Sequence, residues 1–138
     1  METAELLIIK AELTNDPLEL GLTTAAEDDE ANANLLNEIR DSIQVFKASV
    51  ASDEILVSPS EWAALSPAQQ GWWNNQTLDG TVKPSVIADG FYELFSANTA
   101  ARASFDSVSK EPASRARQLL NRYVTLTPSD ISQARVAT

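Results

Sequence analysis

The sequence predicts an all-α fold: a compact domain of seven or eight short helices, an extended N-terminal loop, and room for one or two very short strands. Three observations predict it. "SPSE" (58–61), "SPAQ" (66–69) and "TPSD" (127–130) share one physical plan. In each, a Ser or Thr caps, Pro fills the first helical position where no amide hydrogen is needed, and an acceptor stands three residues after the cap. The opening "METAELLIIKAEL" carries Leu6, Leu7, Ile9, Ala11 and Leu13, a broad apolar face. Pro84, Asn98 and Pro112 open further helical segments joined by short connections. At 138 residues, the span 1–138 is sized for a single helical domain with a real core.

Taken in order, the first helix is expected over about 3–14 with Thr3 as N-cap, stopping by Asn15 because Asp16 precedes Pro17. Leu18, Leu20 and Leu22 alternate in an extended segment around Gly21, and either fold back onto the core or face a partner subunit. Residues 1–22 are therefore a candidate N-terminal helix and docking arm. Glu27, Asp28, Asp29 and Glu30 begin a second helix that carries Ala31, Leu35, Leu36 and Ile39. Acids in a first turn suit the helix dipole, but four in a row also repel, so part of the run is a solvated face. "SIQVFKASV" (42–50) fits neither a strand nor a helix period cleanly, and Ser52-Asp53-Glu54 caps a short turn. The capping signals place helices near 59–65, 67–77 and 128–136, and the remaining starts place others near 84–95, 98–109 and 112–122. Gly80 is expected to stop the tryptophan-bearing helix, and "YVTLT" (123–127) to be extended, as a small strand at most.

Composition narrows the functional classes. Hydrophobic residues are 43% and charged residues 22%, so wholesale disorder is not expected. There is no cysteine and no histidine, which removes thiolate chemistry and the commonest general base and transition-metal ligand. No apolar run is long enough to span a membrane, and the acid-bearing start reads as a helix and not as a signal peptide. A net charge of -10 argues against generic nucleic-acid binding, since phosphates would be repelled, and no direct sequence-specific nucleic-acid binding is expected. Residues 1–82 hold fifteen acids and three bases, whereas 83–138 hold five acids and seven bases, a dipole along the sequence.

The chemistry-bearing candidates are few. Glu61, Asp79, Asp89 and Glu93 are carboxylates of the type an acid–base pair needs, but no spacing singles out a pair. Serines without histidine cannot form a conventional triad, four scattered glycines make no phosphate loop, and the acids lack calcium-loop spacing. No catalytic residue, cofactor or metal is expected. The residues left over suggest contact surfaces instead. Trp72 and Trp73 point about 100° apart on a helix, so with Trp62 nearby one belongs in the core and another at a seam or interface. Arg115 and Arg122 share a helix face and could meet Asp28 and Asp29 of a neighbouring copy. The candidate interface is thus Leu18, Leu20, Leu22, Asp28, Asp29, Trp62, Trp72, Trp73, Arg115 and Arg122.

"IIKAELTNDPLELGL" resembles the opening of small virion-associated proteins encoded among the head and tail structural genes of long-tailed bacteriophages. The shared positions are Lys10, Glu12, Thr14, Asp16, Pro17, Leu18 and Gly21, with Leu36-Asn37 beyond. "EWAALSPAQQGWW" (61–73) and "SRARQLLNRYVTLTPSDISQAR" (114–135) resemble the family's middle and end. Leu22 departs from it, since an aromatic often follows the glycine there. The resemblance implies a non-enzymatic structural protein of a tailed phage particle, first of all a neck component or head-to-tail connector (adaptor). Its partners would be copies of itself in a ring and portal or tail proteins, and its place the virion, after assembly in the host cytoplasm. A tail, baseplate or capsid-surface station and a small acidic host-interaction module are the alternatives.

Overall fold

The computed structural model describes all 138 residues. The chain is helix-rich, with eight α-helices and four short strands in two two-stranded sheets, so it is mixed and not purely all-α. The chain divides into two compact units. Unit 1 comprises 1–44 and 112–138, and unit 2 comprises 45–111.

Unit 1 opens with α1 (Thr3–Asn15). Glu2, not Thr3, is its N-cap, and no side chain caps it. The helix stops where expected, with Asp16 in a left-handed conformation (φ 38°). After a 3₁₀ turn over Ala26–Asp28, α2 runs from Asp29 to Asn37. Strand β1 (Ile39–Phe46) follows directly, so Ile39, expected in the helix, lies in a strand and is 73% exposed. Ile39, Ile43 and Val45 of this strand are β-branched and favour extended backbone over another helical turn. The other part of unit 1 holds α7 (Arg115–Leu120) and α8 (Pro128–Val136). Helix α8 packs on both α1 and α2, which buries Ile9, Leu13, Leu22, Ala33, Leu36, Ala116, Leu126, Ile131 and Ala134 in one core.

Unit 2 contains β2 (Val50–Ala51), α3 (Pro59–Ala63), α4 (Pro67–Gln76), β3 (Thr81–Val82), α5 (Pro84–Leu94) and α6 (Ala100–Ser109). Strands β2 and β3 are antiparallel, with Val50 opposite Val82. The core is aromatic. Phe91 stacks on Phe105 at 4.6 Å between ring centroids, and also meets Phe95 at 4.9 Å and Trp73 at 5.2 Å. Rings of this size each bury about 150–250 Å², which lets so short a segment hold its own core. Strand β4 (Lys110–Ser114) pairs with β1, and these two strands hold the points at which the chain passes between units.

All three predicted capping boxes form. Ser58 with Glu61, Ser66 with Gln69 and Thr127 with Asp130 each exchange both bonds, Asp130 substituting for Glu or Gln. Three other expectations are corrected. Thr99, not Asn98, caps α6, its hydroxyl accepting from the Arg102 amide. The helix expected from Pro112 begins at Arg115 with Ser114 as cap, because Pro112 lies inside β4. Residues 123–127 form no strand.

Candidate functional site

The alternating leucines divide by depth. Leu22 is 8% exposed and belongs to the unit 1 core, Leu20 packs against that core, and Leu18 is 43% exposed. The segment expected as a docking arm is therefore built into unit 1 through Ile9, Leu13 and Leu22. Asp16 fixes its path. One carboxylate oxygen accepts from the Leu20 amide at 2.8 Å, the other from Gly21 at 3.0 Å and Leu22 at 3.2 Å. Three successive N–H groups converging on one anion form a nest, which the positive φ of Glu19 (55°) and Gly21 (92°) makes possible. Leu18 and Leu20, with Leu35, Glu38, Arg40 and Ile43, border a groove of about 460 Å³.

The charged candidates are engaged within their own chain. Arg115 grips both oxygens of Glu12, at 2.7 and 3.0 Å, and Glu12 is 5% exposed. Arg122 holds Glu5 at 2.9 Å, which lowers the Glu5 pKa chiefly through that hydrogen bond. Asp29 is held in two bonds by Arg135, at 2.7 and 2.9 Å, and its pKa is lowered for the same reason. Asp28 accepts from the Thr23 hydroxyl at 2.7 Å. Arg115 and Arg122 thus pair with Glu12 and Glu5 of the same chain. The dipole along the sequence also disappears on folding, because the arginine-bearing C-terminal segment returns to the acidic N-terminal one. Unit 1 carries twelve acids and six bases, unit 2 eight acids and four bases.

The tryptophans lie in unit 2. Trp73 is buried in its core, while Trp62 and Trp72 are half-buried and packed against it. Trp72 lies over Gly90 of α5, where a Cβ would come within 2.3 Å of its ring. Glu61 closes the α3 capping box and accepts from the Ala101 amide at 3.0 Å, so it ties α3 to the first turn of α6. That amide bond, then those from Ser58, lowers its pKa. Asp79, Asp89 and Glu93 are exposed, and no three acidic groups lie close enough to share a metal ion.

Sequence reasoning passed over Asn32, which receives the Thr23 amide at 3.1 Å and donates to the Thr23 carbonyl at 2.9 Å. Asn37 makes the same double bond to Leu126, at 2.8 Å each way. Two asparagines of α2 thereby clamp two other stretches of the chain, at Thr23 and at Leu126. The signal was present in "ANANLLN", where amides interrupt an apolar helix. No protein-family model matches this chain, and neither a curated protein nor a solved structure is significantly similar to it.

Proposed function

We propose that this chain is a non-enzymatic structural protein of a tailed bacteriophage particle, stationed at the neck as a head-to-tail connector. Copies of it would form a ring against portal or tail proteins. The observation that carries the reading is where the residues of the phage-protein resemblance fall. Glu12 pairs with Arg115, Asn37 with Leu126, and Lys10 with the Ala137 carbonyl, while Asp16 gathers the amides of 20–22. Residues from the two ends of the chain are thus one another's partners, and the shared pattern specifies the joints of unit 1. A pattern of joints suits a scaffold, where an enzyme's shared pattern would include reacting groups. With Arg115 and Arg122 engaged internally, the contact between copies falls to exposed Leu18 and the groove it borders.

The test is quantitative mass spectrometry and immunogold electron microscopy of purified particles of the encoding phage. Label at the head–tail junction, with copies numbering one or two rings, is expected. Label along the tail or over the capsid would move the station, and absence from particles would overturn the virion reading in favour of an intracellular host-interaction module.

A further inference from the structure

Lys10 differs from four of the arginines of unit 1. Arg40, Arg115, Arg122 and Arg135 each hold a carboxylate at 2.7–2.9 Å. The chain has twenty acids for ten bases, yet half-buried Lys10 donates to a neutral group, the Ala137 carbonyl at 2.8 Å, and no ion pair forms at its nitrogen. A partly desolvated ammonium without a counter-ion is costly, and an anion beside it would offset that cost.

The space for one is present. Lys10, Leu13, Thr14, Thr24 and Arg135 line a pocket of about 110 Å³, room for a few waters or for one carboxylate or phosphate group. None of its walls is acidic. Arg135 uses Nε and Nη2 on Asp29, which leaves Nη1, and Lys10 keeps two of its three hydrogens. The Thr24 hydroxyl is also uncommitted, whereas Thr14 donates to the Lys10 carbonyl and serves as a wall. We infer that Lys10, Thr24 and Arg135 form a binding site for a single small oxyanion, a carboxylate or a phosphate. This inference goes beyond the proposed function and does not depend on it.

The test is a two-dimensional ¹H–¹⁵N NMR titration of the full chain with sodium phosphate and, separately, sodium acetate, each against sodium chloride at equal ionic strength. Saturable shifts centred on residues 10–14, 24 and 135 are expected. Lys10→Met, which keeps the apolar stem, should weaken binding at least tenfold while leaving the spectrum dispersed. If that variant does not fold, Thr24→Val in the exposed loop should still weaken binding several-fold. Response to acetate, alone or alongside phosphate, would identify a carboxylate-accepting site of the kind an acidic side chain of a partner could enter. Response to phosphate alone would identify free phosphate as the ligand. No saturable response, or shifts spread over the surface and unchanged in the variants, would overturn the inference.

Discussion

A single methyl group at Gly90 tests whether the Trp72 indole is fixed against α5. An alanine Cβ there would stand 2.3 Å from Cζ2 and 2.7 Å from Cη2 of Trp72, so the ring must leave. In an unobstructed helix, Gly→Ala would stabilise by about 0.8–1.0 kcal/mol. Displacing the ring uncovers on the order of 100 Å² of apolar surface, about 2.5 kcal/mol at 25 cal/mol per Å². The balance is a net loss of about 1.5 kcal/mol, within the range of overpacked cores. Urea unfolding followed by far-ultraviolet circular dichroism should then show a midpoint lowered by about 0.5–1.5 M, for slopes of about 1–3 kcal/mol per M. In a Trp72→Leu background the obstruction is gone, and Gly90→Ala should stabilise by about 0.8–1.0 kcal/mol. A raised midpoint in the otherwise unaltered protein would refute the reasoning, because it would mean that the indole swings aside at no cost.

Asp16→Ala should destabilise by about 2–3 kcal/mol and speed amide hydrogen exchange at residues 20–22, with Asp16→Asn intermediate. Glu12→Gln or Arg115→Met alone leaves a mostly buried group unpaired and should cost about 3–5 kcal/mol, while Glu12→Leu with Arg115→Met should cost less than their sum in a double-mutant cycle. Glu5, Asp29 and Glu61 have folded pKa values below their ordinary 4.5, 3.8 and 4.5, so the folded state binds fewer protons than the unfolded one. Their stabilisation is complete above those ordinary values and fades as pH falls through the lowered ones; urea midpoints should drop from pH 5 towards pH 3, less steeply in Arg135→Gln. Burial, then the hydrogen bond to Asp106, pushes the Tyr92 pKa from 10.0 up to about 12. Ultraviolet titration should find Tyr92 un-ionised at pH 10, and its contribution to stability, intact below pH 10, should fade between pH 10 and about 12.

Local signals were legible in the sequence, and long-range ones were not. Ser58, Ser66 and Thr127 each cap as read, because a capping box is complete within four residues. Asp16-Pro17 ends α1 for an equally local reason. Pro112 misled because proline suits a helix start and the edge of a sheet alike, and pairing with a strand more than sixty residues earlier decides between them. Ile39 followed the same course in β1. At the candidate interface, the depth of Leu22 and the engagement of Arg115 by Glu12 depend on partners brought together only by the fold. The adjacency of Trp72 and Trp73 was enough to predict that only one would be buried.

Unit 2 is an insertion, since unit 1 takes residues from both ends of the chain, and this sets an order of events on the ribosome. Residues 1–44 emerge before unit 2, but Leu126, Ile131 and Ala134, which complete their core, emerge after it. At about 5–20 residues per second, the 87 positions between 44 and 131 take roughly 4–17 s. Val45–Glu111 is contiguous and can fold during that interval, whereas Ile9, Leu13, Leu22 and Leu36 wait uncovered for the C-terminal helix. The nascent N-terminal segment is therefore the part of the molecule that most needs a chaperone, and a stalled or prematurely terminated chain would display it as an aggregation-prone surface.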